Sequence, residues 1–305
     1  MNGITGLVLQ GINNIYTVSS DSDRNILHCR IKGKVLGTSE RMYNPIAPGD
    51  LVQVDQTASQ HGMITGVLER RNRLIRWNMK RKLPQLLAAN IDAVICVTSV
   101  DLPPFRPRFI DRVIVCAGDI PIAILVNKDD LSMDRMMLER LDTYRELGYP
   151  VFRVSAAAGT GFDCLREFLQ HKLTAVVGQS GVGKSSVINR LIPAASQRIG
   201  DISVKYNRGR HTTNYAALID AGTFSLIDTP GIREIQVPPM PLPEIGSCFP
   251  EIDALAGSCR FQPCLHRDEP DCAVISAVER GEIVYDRYES YLRIVQSIEE
   301  LQDDF

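Results

Sequence analysis

Apolar and polar positions alternate with a period of two in five short runs near the start of the chain: residues 6–10, 15–18, 26–31, 51–54 and 63–68. Such alternation predicts half-buried β-strands. Asn13-Asn14 and Pro48-Gly49-Asp50 supply turns between them. Five short strands within residues 1–69 predict a small β-barrel, an OB-fold. Barrels of this kind often bind RNA, but a purely structural β-domain has the same composition. The pattern leaves both roles open.

Residues 70–90 read differently, as a basic linker. Arg70, Arg71, Arg73, Arg76, Lys80, Arg81 and Lys82 crowd around Trp77, the single tryptophan of the chain. Cations with an interleaved aromatic suit phosphate pairing and base stacking, although a charge run is more often a solvated segment.

Over residues 91–236 the period changes again. Continuous β-branched runs at 93–98, 121–126, 151–154, 173–177, 215–219 and 224–227 predict buried strands. Helical spacing at 109–116, 133–147, 162–171 and 186–192 alternates with them. The expectation is a layered α/β sheet with helices on both faces. The proline-rich stretch 237–243 then suits neither a helix nor a central strand, which places a boundary there. The last unit, 237–305, holds a cysteine cluster followed by helical periodicity from 273 through 298.

The α/β region carries the chemistry. Gly178-Gln179-Ser180-Gly181-Val182-Gly183-Lys184-Ser185 reads G-x-x-x-x-G-K-S between a strand and a helix, the context a phosphate-binding loop requires. Its backbone N–H groups, with Ser186, cradle phosphate; Lys184 reaches the β- and γ-oxygens, and Ser185 holds Mg²⁺. Asn127-Lys128-Asp129-Asp130 follows a strand and reads N-K-x-D. Asp130 there accepts from the guanine N1–H and amine, a donor pair adenine lacks. Asn127 serves the base edge and ties loops together, and the Lys128 stem covers the ring. Ser155-Ala156 adds a base-side turn. In Asp228-Thr229-Pro230-Gly231, Asp228 holds Mg²⁺ through water and the Gly231 N–H senses the γ-phosphate. Gly209-Arg210-His211-Thr212-Thr213 is placed as a switch loop, whose Thr213 or Thr212 completes the Mg²⁺ shell. Ile232 stands where a water-orienting Gln is common, so His211 is the candidate water-positioning group. A packing or partner-contact role for His211 stays open.

The motif order carries information too. The guanine motifs precede the phosphate loop, the reverse of the Ras-like order, as a circular permutation of that fold would place them.

Cys259, Cys264, His266 and Cys272 make a Cys₃His set, a closed tetrahedral zinc complement with no ligand position left for water. Zinc there would be structural and would replace part of a small domain's core. Cys248 is a nearby competitor. The other four cysteines, Cys29, Cys96, Cys116 and Cys164, lie scattered in apolar or mixed stretches, which fits free thiols in a reducing compartment. A net charge of −2 over 305 residues excludes a wholly basic nucleic-acid binder and leaves a local basic face possible. No signal peptide and no membrane span are expected, which predicts a cytoplasmic protein.

Taken together, these motifs resemble the bacterial family of small ribosomal subunit biogenesis GTPases, the RsgA family. The resemblance runs from the β-rich start through 127–131, 177–191, 209–213 and 228–234 to 259–291, which ends in Arg-Tyr-Glu-Ser-Tyr. It implies an OB-fold, a circularly permuted GTPase and a C-terminal, mostly helical zinc domain. It implies that Cys259, Cys264, His266 and Cys272 ligate zinc. It also implies binding to the 30S subunit through 16S rRNA during late maturation, GTP hydrolysis stimulated by the subunit, and release afterwards; we expect a monomer. Asn214 departs from the family's threonine run, which leaves the Mg²⁺-binding threonine undecided. Two other readings exist. An RNA-binding scaffold would hold nucleotide without turnover. A metabolic kinase would give no reason for N-K-x-D or Asp-Thr-Pro-Gly.

Overall fold

A computed structural model describes residues 3–32, 42–193 and 215–303. The five alternating runs form strands β1 (Gly3–Ile12), β2 (Ile15–Ser20), β3 (Ile26–Ile31), β4 (Leu51–Ala58) and β5 (His61–Val67). Each buries every second side chain over part of its length, so that Val8, Val18, Leu27, Cys29, Val52, Val54 and Ile64 fill one interior. Pairings β1–β2, β2–β3, β3–β5, β5–β4 and β4–β1 close the sheet on itself, which leaves a barrel without a free edge.

The basic segment is not an open linker. It contains an antiparallel hairpin, β6 (Arg73–Asn78) and β7 (Leu83–Ala89). Arginine density concealed an amphipathic strand, because Leu74 and Trp77 face inward with Leu86, Leu87, Ala88 and Ala89. Trp77 is only 6% exposed, which withdraws it from the base-stacking role its neighbours suggested.

The α/β unit follows with β8 (Ala93–Ser99), α1 (Pro107–Ala117), β9 (Ile122–Asn127), α2 (Arg135–Glu146), β10 (Val151–Arg153), α3 (Phe162–Leu169), β11 (Leu173–Gly178), α4 (Lys184–Leu191), β12 (Ala217–Asp220) and β13 (Ser225–Asp228). The strand order is β10-β9-β8-β11-β13-β12, parallel except for β12 against β13. Val94, Cys96, Ile124 and Ala175 face one apolar layer with α1 and α2; Ile95, Val97, Leu125 and Val176 face the other with α3 and α4. Burial on both faces explains why these strands read as continuous apolar runs. The sheet continues into the barrel through a single β12–β1 pairing, Ala217 opposite Gln10.

The C-terminal unit adds α5 (Leu242–Ser247), α6 (Pro250–Ala256), α7 (Ala273–Glu279) and α8 (Tyr285–Asp303). Two of these modify the expectation. Helix α5 begins inside the proline-rich stretch, because proline is tolerated in the first helical turn, where its missing N–H has no partner to lose. The expected continuous periodicity from 273 is interrupted between α7 and α8, where Gly281 takes a left-handed φ of 75°. No described helix is long and apolar enough to cross a membrane. Among the scattered cysteines, Cys29 and Cys96 are buried, Cys116 is half-buried and Cys164 is exposed, all as free thiols.

Candidate functional site

Strand β11 leaves the core at Gly178, where an added Cβ would stand 2.5 Å from the Val97 carbonyl oxygen. Gly183 precedes α4 with φ of 92°, and a Cβ there would fall 2.3 Å from Asn127 Nδ2. Sterics and backbone conformation thus both demand glycine. Gly181, also left-handed, packs its backbone near Pro103. The loop opens onto the N-terminus of α4, where unsatisfied N–H groups favour an anion.

Lys184 is buried at the first position of α4. Burial pulls its ammonium below the usual lysine range, and the nearby Asp228 carboxylate opposes that. Burial pushes Asp228 up, and Lys184 opposes that. Asp228 Oδ1 is buried without a hydrogen-bond partner among the described residues. An orphaned carboxylate oxygen beside the start of a phosphate-loop helix fits a Mg²⁺ shell, with Ser185 exposed at that helix start. A Cβ on Gly231 would lie 3.3 Å from Ser180 Cα and 3.5 Å from Lys184 Nζ, so Gly231 approaches the loop closely. Ser180 and Ser186 are exposed; Val182 packs in the core, and Gln179 Nε2 donates to the Arg233 carbonyl at 3.1 Å. Ile232 is buried and donates its N–H to the Gly178 carbonyl at 3.3 Å. His211, Thr212 and Thr213 lie outside the described residues.

The segment expected to meet the base is built around Asn127, which is 2% exposed. Its Nδ2 donates to the Val182 carbonyl at 2.9 Å, and its Oδ1 accepts from the Ala156 N–H at 3.0 Å. One side chain therefore joins the phosphate loop, the strand end and the 155–158 turn. Ser155 Oγ donates to Asp130 Oδ1 and accepts from the Ala158 N–H at 3.0 Å. Asp130 itself is exposed. Asp129 is engaged elsewhere, accepting from Arg153 Nε at 2.7 Å. Lys128 donates from Nζ to the carbonyls of Asp101, at 2.9 Å, and Leu102.

In the C-terminal unit Cys259, Cys264, His266 and Cys272 are all buried, with their ligand atoms within 4.8 Å of one another. Cys259 Sγ is 3.5 Å from His266 Nδ1, and Cys272 Sγ is 3.4 Å from the same nitrogen. Cys248 stands apart, its thiol facing the Glu244 carbonyl at 3.7 Å. Burial pulls His266 below the usual imidazole range, which favours the neutral ring that ligates metal. Three sulfurs and an imidazole converging on one point are a donor set for a tetrahedral ion. Tyr288 and Tyr291 brace it, donating to the His266 and Leu265 carbonyls at 2.7 and 2.8 Å.

Comparison with known proteins gives one family throughout. A family model described as RsgA GTPase matches residues 67–238. The small ribosomal subunit biogenesis GTPase RsgA of Borrelia recurrentis is 41% identical over 301 residues, covering 98% of this chain and 96% of its own. The RsgA of Bacteroides fragilis is 38% identical over 303 residues, covering 97% of each. The chain belongs to the RsgA GTPase family. Among solved structures, YjeQ from Thermotoga maritima superposes with a TM-score of 0.70 at 31% identity, over 97% of this chain and 99% of that one. YloQ, described as a circularly permuted GTPase, superposes with a TM-score of 0.67 at 28% identity, over 98% and 96%.

Membership makes the chain a GTP hydrolase and its sheet a permuted GTPase sheet. The Asn127–Asp130 and Gly178–Ser185 segments sit at the carboxyl ends of parallel strands β9 and β11, which flank β8, where such sheets bind ligands. Permutation changes the chain order of the motifs and leaves this geometry in place.

Sequence reasoning passed over several positioning residues. Arg190, at the end of α4, donates to the Ala156 carbonyl at 2.9 Å and the Ala157 carbonyl at 3.1 Å, clamping the base-side turn onto the phosphate-loop helix. The 101–103 turn, held by Lys128, borders the phosphate loop. Neither carries a motif; an arginine near a helix end looks like an ordinary surface charge until its partners are known.

Proposed function

We propose that this chain binds GTP–Mg²⁺ in the pocket between Asp130 and Lys184, engages the 30S ribosomal subunit through 16S rRNA, hydrolyses GTP when the subunit stimulates it, and then dissociates. The observation that carries the nucleotide assignment is the pair of hydrogen bonds made by the Asn127 amide, which ties the base motif to the phosphate loop. The names of the relatives, small ribosomal subunit biogenesis GTPases matched over nearly the whole chain, support the ribosomal assignment.

In this reading Asp130 accepts from guanine, with Ser155 fixing its carboxylate. Asn127, Lys128 and Ala156 frame the base, while Asp129, paired with Arg153, shapes the loop that carries them. The backbone from Gly178 to Ser186 wraps the phosphates, and Lys184 pairs with the β- and γ-oxygens. Ser185, Asp228 and Thr213 or Thr212 would hold Mg²⁺, which neutralises charge on the phosphate oxygens when bound. The Gly231 N–H senses the γ-phosphate. With the Ile232 side chain in the core, water orientation falls to His211 or to the subunit. Zinc, held by Cys259, Cys264, His266 and Cys272, is structural. The protein acts as a cytoplasmic monomer.

Phosphate release under multiple turnover, with and without purified small subunits, tests this. Stimulation by subunits and retention of the GTPγS-loaded protein on them are expected. ATP bound as tightly as GTP, or a rate indifferent to subunits, would overturn the reading. Single-turnover hydrolysis by His211→Ala tests the water-positioning role; an unchanged subunit-stimulated rate removes it.

A further inference from the structure

Between the phosphate loop and the C-terminal unit lies a cavity of about 560 Å³. Its walls come from the start of α1, from α2, from Gln179 of the phosphate loop, from the segment after β13 and from α8. Arginines dominate them: Arg106 at the cap of α1, Arg112 on α1, Arg140 on α2 and Arg233 after β13, with Arg108 at the rim engaged to Glu289 at 2.6 Å. Glu234 and Asp286 also line it, so the balance is cationic without being unopposed.

Arg140 is the decisive residue. It is 7% exposed, yet Nε and Nη1 are buried without a hydrogen-bond partner among the described residues. Its ion pair, Nη2 to Asp286 Oδ2, is long at 3.8 Å, and that carboxylate is largely solvated. A buried guanidinium with unmet donors is costly unless an anion completes it. Arg112 is held by Gln236 Oε1 at 3.1 Å, while Arg106 and Arg233 are exposed at the mouth. Arginine forks match the oxygens of phosphate. The volume is that of a ligand pocket for a nucleotide-sized group, and half-buried Phe105 offers a ring beside it.

We infer that this cavity grips a phosphoryl group of an RNA strand, with Arg140 at its floor and Arg106 and Arg233 at its mouth. A neighbouring cavity of about 580 Å³ shares Arg106, Gln179 and Arg233 and reaches Ser180 of the phosphate loop. Gln179 already holds the Arg233 carbonyl at 3.1 Å. RNA seated here therefore contacts the segment that follows Gly231, and the site reports RNA engagement to the nucleotide pocket. The choice of RNA over a free phosphate rests on the ribosomal reading above; the phosphoryl chemistry does not.

The test uses the full chain, its nucleotide site saturated with GDP. Affinity for a short fluorescein-labelled single-stranded RNA is read by anisotropy, and affinity for inorganic pyrophosphate by calorimetry, in wild type, Arg106→Glu and Arg140→Gln. Arg106 is exposed, so its variant keeps the test valid if Arg140→Gln folds poorly; fluorescent-GDP binding reports folding in both. RNA affinity is expected to fall about tenfold in each variant, and the slope of log affinity against log salt to decrease by about one. RNA affinity unmoved in Arg106→Glu and in folded Arg140→Gln overturns the proposal; if pyrophosphate binding falls while RNA binding holds, the occupant is a free phosphate instead. Variants that bind small subunits and respond to them as wild type does overturn this site and leave the ribosomal reading standing. Failure of wild type itself to bind subunits defeats that reading, and the pyrophosphate arm then decides the phosphoryl site alone.

Discussion

Asn127 shows how much one amide can organise. Replacing it with Ala leaves a buried Ala156 N–H and the Val182 carbonyl without their partner. Each lost bond costs about 1–3 kcal/mol. Asn127→Ala should therefore weaken GDP binding by about two orders of magnitude and lower the melting temperature, both measurable on purified protein. In the proposed site Asp130 is assigned a different property, specificity. Asp130→Asn should reduce GTP affinity about a hundredfold, since a site built for a donor pair rejects a mismatch strongly. The same variant should gain affinity for xanthosine triphosphate, whose 2-oxo group accepts where the guanine amine donates. Competition of the two nucleotides for the variant measures the exchange; retained GTP preference would remove Asp130 from the base site.

At the scale of elements, the turn that carries the cysteines is held by Glu269. Its carboxylate accepts from the N–H groups of Leu265 at 2.6 Å and Arg267 at 2.8 Å. Burial acts to raise this carboxyl, but the backbone donors outweigh it and draw it down to about 2. A carboxylate whose folded-state value is depressed stabilises the fold fully above its unfolded value, and that stability is lost as pH falls through the folded value. The difference in urea midpoint between wild type and Glu269→Gln should thus be largest near neutral pH and shrink below about pH 4.5. A constant difference across that range would show that the charge is immaterial. Chelation at neutral pH should unfold the segment around α7, because the Cys₃His set stands in for missing core; loss of protection in hydrogen exchange there is the readout.

Over the whole molecule, the GTPase and C-terminal units are joined by buried charge. Arg287 is fully buried; it donates to Asp111 on α1, and to Glu251 on α6 at 2.7 and 3.2 Å. Tyr144 on α2 donates to the same Asp111 oxygen at 2.6 Å. Burial works against the guanidinium, yet Asp111 and Glu251 hold it charged above its usual range. Removing one partner strands the others, so Arg287→Met should cost about 3–5 kcal/mol. Asp111→Asn with Arg287→Met should cost less than the sum of the single changes, a coupling that denaturant titration of the four proteins measures. The barrel is fastened as firmly at the other side. Gly49 has φ of 92° and sits where a Cβ would be 2.0 Å from the Ala89 carbonyl, and Arg70 pairs with buried Asp50 at 2.6 Å. None of these joints was visible in the chain: Arg287 stood only within the Arg-Tyr-Glu-Ser-Tyr run of the resemblance, Arg70 was one cation among those of the basic segment, and their partners lie far away in sequence. The hairpin β6–β7 was obscured for a related reason: seven cations hide an apolar face that exists only once the strand is placed. What the residues determined unaided was local: the period-two barrel strands, the β-branched runs of the sheet, and the glycine, Asn-Lys and Cys₃His motifs. These depend on neighbours within a few positions, where backbone geometry and side-chain chemistry act directly. Tertiary structure alone decided which charges became buried partners and where a cationic cavity opened, because desolvation and pairing are set by approaches across the fold that no short stretch of sequence encodes.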